Sequence, residues 1–182
     1  MIYPERTISL RDGRTLTVRS ADPKDSEILL KYMNATAEET PYLLREPGEF
    51  SMTVEQEAAF IRSNMKNPRF LMLLAFLDGE HVGNCTFYPV GSQLRLQHRC
   101  AMAIALYKNY WGLGIGEHLM RISLEQAKEI GYEQVELDAV TENEGAIHLY
   151  RKLGFEPYGT LKNALKYQDG TYANTLMMRK SL

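Results

Sequence analysis

The chain has little excess charge of either sign. Its 21 Lys and Arg against 23 Asp and Glu give a formal net charge of −2, with a pI near 6.1. That balance argues against a protein that grips nucleic acid mainly through its phosphates. Cysteine is scarce: Cys85 and Cys100 form no C-x-x-C pair and suggest no disulfide framework. Both read as small buried apolar residues in a reducing compartment. The longest clean apolar run, Phe70 to Leu77, is far too short to span a bilayer. The N-terminal Met1-Ile2-Tyr3-Pro4-Glu5-Arg6 lacks a basic segment followed by an apolar one, so no signal peptide is expected and the expected location is cytoplasmic. No H-E-x-x-H and no paired Cys/His spacing occurs, so no metal is expected. Repeats, low-complexity tracts and linkers are also missing. With 182 residues the chain fits one domain, residues 1–182, with length enough to bury most of its apolar surface.

What is present is a glycine-rich stretch, Tyr110-Trp111-Gly112-Leu113-Gly114-Ile115-Gly116-Glu117-His118. It follows an apolar run, Ala101 to Leu106, that reads as a strand. It precedes Ile115 to Ile130, whose Ile115, Leu119, Ile122 and Ile130 recur at helical spacing. Glycines at a strand-to-helix junction let backbone N–H groups approach a ligand closely. The first N–H groups of a helix have no partner within it, and the helix dipole favours an anion there. The stretch is therefore a candidate phosphate site. The dinucleotide fingerprint G-x-G-x-x-G needs a small residue at Glu117 and fails. The P-loop needs a Gly-Lys pair, and the chain has none. The remaining Gly-x-Gly-x-Gly spacing suits an acyl-CoA pyrophosphate. The alternative is a tight turn that only packs the helix on the strand.

Along the chain, Thr7–Leu10 and Arg14–Arg19 alternate around Asp12-Gly13 as a hairpin. Asp22-Pro23 caps a helix running to about Met33, with Ile28, Leu29 and Tyr32 facing inward. Residues 34–50 show no clean period. Ser51–Asn64 reads as a helix capped by Ser51 or Thr53. Phe70–Leu77 and His81–Tyr88 flank Asp78-Gly79. A longer strand is expected over Leu94 to about Leu106. After the central helix, Gly131 is its C′ residue. Val135–Val140 is a strand, Glu144–Leu153 a helix, and Pro157–Tyr167 and Thr171–Arg179 a terminal hairpin. The order predicts an α/β fold: one mixed, mostly antiparallel sheet of about seven strands, flanked by about four helices. The unit from residue 100 to 140 should place two parallel strands around a right-handed crossover helix.

Over nearly its full length the chain resembles the GNAT N-acetyltransferase superfamily. Two segments carry the resemblance. Ala105 to Gly116 is similar to the family's acyl-CoA loop, Gln/Arg-x-x-Gly-x-Gly/Ala, with Trp111 at the Gln/Arg position. Asn143-Glu144-Gly145-Ala146-Ile147-His148-Leu149-Tyr150-Arg151-Lys152-Leu153-Gly154-Phe155 is similar to the family's Asn-x-x-Ala-x-x-Leu-Tyr-x-x-x-Gly-Phe signature. The tail Tyr167 to Tyr172, ending at Met177-Met178, resembles members acting on polyamines, protein N-termini or small amines.

The resemblance implies an acetyl-CoA-dependent N-acetyltransferase that moves an acetyl group to a primary amine by direct attack in a ternary complex. Trp111, Gly112, Leu113, Gly114, Ile115 and Gly116 would form the pyrophosphate loop. Ile104 to Leu106 would pair with the pantetheine amides like an added strand. The sheet would splay between that strand and the one starting near Val135. Asn143 and Ala146 would line the pantetheine arm, with Asn143 alternatively a plain helix N-cap. Tyr150 would be the catalytic residue, beside the CoA sulfur; by spacing alone it reads as a core tyrosine. A thiol of pKa about 8.5 facing a phenol of about 10 makes full proton transfer roughly 2 kcal/mol uphill, so Tyr150 is a hydrogen-bond donor to developing thiolate. Expected partners are a small-molecule amine or a peptide N-terminus, not nucleic acid or membrane, with a homodimer a family possibility.

The general base is left open among Glu136, Asp138, His98 and a water relay. A route through Cys85 or Cys100 would need an activated thiolate that nothing nearby supplies. The acceptor is expected near residues 34–50, where Glu38, Glu39, Glu46 and Glu49 could attract a cation and Tyr42 and Phe50 could add cation–π contacts. Two readings stay beside the enzyme: a catalytically inactive acyl-CoA sensor, and a nucleotide-binding domain using the same loop.

Overall fold

The computed structural model describes residues 1–182. Strands β1 (Arg6–Ser9) and β2 (Thr15–Ser20) form the opening hairpin. Helices α1 (Ser26–Glu39) and α2 (Val54–Met65) follow. Then come β3 (Leu71–Leu77), β4 (Glu80–Pro89), β5 (Arg99–Leu106), α3 (Ile115–Glu129) and β6 (Gln134–Val140). Helix α4 (Glu144–Lys152), β7 (Glu156–Lys166) and β8 (Tyr172–Ser181) complete the chain. The strands make one eight-stranded sheet in the order β1-β2-β3-β4-β5-β6-β8-β7.

Strand β3 shows why helices cover both faces. Its apolar run sends alternate side chains to opposite sides. Leu71, Leu73, Ala75 and Leu77 join the large core cluster with Ile115, Leu119 and Met120 of α3 and Ile147 and Tyr150 of α4. Leu74 instead joins Leu29, Tyr32 and Ile61 beneath α1 and α2. A strand buried on both faces reads as a continuous hydrophobic run, as this one does.

Three expectations are corrected. Helix α1 runs past Met33 to Glu39. Its buried stripe continues through Thr36 and Ala37, and the Thr36 hydroxyl donates to the Tyr32 carbonyl at 2.8 Å. A self-satisfied buried threonine hides the period. Thr40, before Pro41, is extended and stops the helix. Ile28 is not inward but exposed, whereas Leu29 and Tyr32 are buried. The strand expected from Leu94 starts only at Arg99, after a 3-10 turn at Leu94–Leu96. The last β4 rung is Pro89 with Cys100, so residues before Arg99 have no strand to pair with.

Every neighbouring pair of strands is antiparallel except β5 and β6. These two run parallel, and only through Arg99–Gln134, Cys100–Val135 and Ala101–Glu136. Beyond that rung β5 continues to Leu106 along β4, and β6 continues to Val140 along β8. The sheet therefore splits between them.

Candidate active site

The site begins where β5 runs into α3. Gly112 and Gly114 adopt φ of +78° and +82°, the left-handed region that favours glycine. A Cβ at either would meet open space, so conformation rather than crowding demands glycine there. Gly116 is different: it lies within α3, and a Cβ would come 3.3 Å from Leu149 Cδ2, so glycine there lets α3 approach α4. No backbone acceptor within the chain takes the N–H groups of residues 112 to 117. Six unpartnered donors lie at the positive end of a helix, a position that favours phosphate.

The split supplies a second set of unpartnered groups. In an antiparallel pair, rungs alternate between those that exchange hydrogen bonds and those that do not. Val90 N–H donates to the Arg99 carbonyl and Tyr107 N–H to the Val82 carbonyl, so the odd-numbered residues of β5 bond toward β4. The N–H and C=O groups of Ile104 and Leu106 then point to the other side, where β6 has already diverged. Four in-plane groups face the split. One is taken: Trp111 Nε1 donates to the Leu106 carbonyl at 2.9 Å.

Glycine loop and split open into one groove of about 670 Å³. Among the residues expected at the site, Ile104, Leu106, Trp111, Gly112, Gly114, Ile115, Gly116, Asn143, Ala146 and Tyr150 line it. Leu113 does not; its side chain packs against the core. Asn143 is an N-cap, with Oδ1 accepting from Ala146 N–H at 3.2 Å. That bond uses the Ala146 amide and leaves the Asn143 Nδ2 without a partner in the chain. Tyr150 is buried, with 7% exposure, and its ring is tilted on Phe155 at 5.9 Å. Its hydroxyl has no partner within the chain. Burial, with a smaller push from Cys85, raises its pKa further above the ordinary phenol value, so it stays protonated.

Sequence reasoning missed one ion pair, whereas the far wall of the groove falls within residues 34–50, where the acceptor is expected. Thr40, Tyr42 and Leu43 close the groove after α1, and His148 and Leu149 line it from α4. Glu117 would set a carboxylate beside the phosphate site. It is held instead by Lys152 at 2.5 Å and Arg121 at 2.8 Å, and these contacts pull its pKa down to about 2. The i, i+4 spacing of Glu117 and Arg121 was readable in the sequence; the reach of Lys152 from α4 was not.

The base candidates separate cleanly. His98 lies in an exposed turn before β5, at the opposite end of that strand from the loop. Glu136 is engaged by Arg99 Nε at 2.5 Å and Nη2 at 2.8 Å, and Arg99 lowers its pKa. Asp138 lies two residues past the last β5–β6 rung and makes no hydrogen bond or ion pair. Desolvation, and then the nearby Glu136, raise its pKa, although the residue is exposed and does not line the groove. Cys85 and Cys100 are buried, and desolvation pushes both thiols up to about 12, so neither is a nucleophile.

None of Glu38, Glu39, Glu46 and Glu49, the expected negative mouth, lines the groove. Glu39 accepts from Lys108 N–H at 2.7 Å, Glu46 from Gln168 N–H at 3.1 Å, and Glu49 from Glu46 N–H at 3.0 Å. Phe50 is covered by Arg45, whose guanidinium lies 4.7 Å from its ring centre.

A family model described as Acetyltransferase (GNAT) family matches residues 32–155. The chain belongs to the GNAT family. An N-alpha-acetyltransferase of Sulfurisphaera tokodaii is 39% identical over 121 residues, covering 61% of this chain and 70% of that protein. An L-amino acid N-acetyltransferase of Escherichia coli is 30% identical over 116 residues, covering 62% of this chain and 69% of that protein. The crystal structure of a GNAT acetyltransferase from Streptococcus pneumoniae superposes with a TM-score of 0.87 at 27% identity, over 92% of this chain and 99% of that one. As a GNAT member the chain is an acetyl-CoA-dependent N-acetyltransferase. No group of His, Cys, Asp or Glu could hold a metal ion, and no helix is long and apolar enough to cross a membrane.

Proposed function

We propose that this chain, acting as one catalytic unit, transfers acetyl from acetyl-CoA to an α-amine, either of an amino acid or of a peptide N-terminus, by direct attack in a ternary complex. The observation that carries this reading is the pairing of two unpartnered backbone sets: the N–H groups of residues 112 to 117, and the N–H and C=O of Ile104 with the N–H of Leu106 at the split. The first suits a pyrophosphate and the second the amides of a pantetheine arm. Asn143 Nδ2 is free to donate to the same arm.

Asp138 then serves as the general base. It stands at the split on the strand opposite Ile104, and unlike Glu136 it has no cation attached. At pH 7 a lysine-like amine of pKa about 10.4 costs roughly 4–5 kcal/mol to deprotonate, whereas a peptide N-terminal amine of about 7.7–8.0 costs roughly 1 kcal/mol. A carboxylate whose pKa is raised toward the amine's narrows that gap further. As the N–C bond forms and the C–S bond breaks, the amine proton passes to Asp138. The Tyr150 hydroxyl donates to the departing sulfur without giving up its proton early, because burial holds that proton on oxygen.

An α-amine is favoured over a polyamine because a peptide N-terminal amine costs less to deprotonate, and because none of Glu38, Glu39, Glu46 and Glu49 lines the groove. The relatives that act on L-amino acids and on protein N-termini share that acceptor chemistry. The test is thiol release from acetyl-CoA against short peptides, free amino acids and spermidine. Release with peptides or amino acids supports the reading, and release with spermidine alone overturns the α-amine choice. Silence across the panel with acetyl-CoA still bound favours an acyl-CoA sensor.

A further inference from the structure

We propose that Trp111 is a positioning residue that splints the two cofactor-binding elements together. It ties the strand that receives the pantetheine arm to the loop that receives the pyrophosphate. The proposal rests on the acyl-CoA reading above and adds a part to it. Leu106 is the last residue of β5 and Trp111 the residue just before Gly112. The indole N–H donates to the Leu106 carbonyl at 2.9 Å, so one bond closes the whole connector between strand and loop.

Tyr110 N–H donates to the Tyr107 carbonyl at 3.0 Å and Trp111 N–H to the Lys108 carbonyl at 3.2 Å, which fold the connector into a 3-10 turn without reaching the groups that face the split; its ties to side chains run elsewhere. Lys108 N–H goes to Glu39 on α1, and Tyr110 Oη donates to Glu80 on β4 at 2.8 Å. Neither joins the groups that face the cofactor. Within the loop itself Gly112 and Gly114 sit at positive φ and the N–H groups have no acceptor, so no backbone bond made by those N–H groups holds the loop to the strand. Without a tie, binding a molecule that spans strand and loop would have to order one against the other. A pre-formed bond removes part of that ordering cost. The tie is specific in its chemistry, since a tryptophan donates through a single N–H and accepts nothing. It is also peripheral to the core, with Trp111 42% exposed, so its removal leaves the fold standing. The Leu106 carbonyl being occupied, the arm pairs with the N–H and C=O of Ile104 and the N–H of Leu106.

A splint has a signature that neither a direct contact nor a structural role shares. It raises affinity only for ligands that engage both elements at once. The experiment compares wild type with Trp111→Phe for three ligands: acetyl-CoA, its nucleotide half (3′-phospho-ADP), and its acyl arm (S-acetylpantetheine). Loss of one neutral hydrogen bond should weaken acetyl-CoA by roughly 2- to 10-fold and leave both halves unchanged. Equal weakening of either half overturns the proposal in favour of a direct contact, and unchanged acetyl-CoA affinity overturns it outright. Trp111 is the only tryptophan, so its indole gives one N–H resonance. That proton should exchange slowly in the free and the acetyl-CoA-bound protein; fast exchange in either state contradicts the splint. If wild type binds neither acetyl-CoA nor its halves, the acyl-CoA reading itself fails. Binding with no Trp111 effect removes only the splint.

Discussion

Glu136 and Asp138 stand two residues apart on the same face of β6, and only Asp138 is free. Arg99 holds Glu136 through two hydrogen bonds at the last rung that joins β5 to β6. One step further the strands part and Asp138 has no partner. The same split therefore sets one carboxylate to brace the sheet and leaves the next without a cation.

Asp138→Asn should lower kcat/KM by about 100-fold or more, the usual scale for losing a general base. It should also raise the melting temperature. The folded-state pKa of Asp138 lies above its ordinary value, so the ionised carboxylate disfavours the fold at every pH above that pKa. Activity down and stability up together mark a functional group kept at a cost. Glu136→Gln should do the reverse, losing stability as Arg99 loses its partner. Thermal melts beside steady-state kinetics on both variants decide this.

Tyr150→Phe should lower kcat by roughly 10- to 100-fold, a loss of about 1.4–2.7 kcal/mol of transition-state stabilisation. Acetyl-CoA affinity should survive. The hydroxyl bonds nothing within the chain, so the melting temperature should hold or rise. Titration calorimetry with acetyl-CoA separates binding from turnover, and an unchanged kcat would remove Tyr150 from the mechanism.

His81 offers a pH test independent of activity. Both ring nitrogens are buried without partners, and burial lowers its pKa from 6.5 to about 4. A histidine whose folded pKa is depressed contributes stability that is fully present above about pH 6.5 and is lost as pH falls through about 4. The difference is about 3 kcal/mol. Denaturant titrations from pH 7 to 4 should show that decline, and His81→Phe should flatten it. An equal decline in the variant assigns it to other groups.

Gly114→Ala should cost roughly 1–2 kcal/mol, because alanine disfavours the left-handed conformation at φ +82°. Open space around the new methyl rules out a clash term. The KM for acetyl-CoA should rise as the loop amides turn away from the phosphates. A variant with unaltered KM would show that this residue's geometry does not serve the cofactor.

The legible parts of the sequence were those with local causes. Period-2 runs gave the hairpins, the glycine spacing gave the loop, and the Asn143-to-Phe155 signature put Tyr150 on the inner face of α4. The split was foreseen from family resemblance alone, since register between β5 and β6 leaves no local mark. The length of helix α1 is hidden in the sequence because Thr36 looks polar yet bonds its own helix backbone. Leu94 to Gln97 looked like strand because alternation cannot report that a neighbour has ended. The choice between Glu136 and Asp138 needed Arg99, thirty-seven residues away in sequence from Glu136. The indole tie from Trp111 to Leu106 was equally invisible, because residue type does not say which carbonyl lies within reach.

The measurement closest to the central claim is amide hydrogen exchange at Ile104 and Leu106, with and without acetyl-CoA. Both N–H groups face the split with no partner, so they should exchange quickly in the free protein. Bound acetyl-CoA should slow both, together with the amides of residues 112 to 117. Protection of the loop amides alone, with Ile104 and Leu106 still exchanging freely, would contradict the account: the phosphates would be bound, but the arm would not lie in the split.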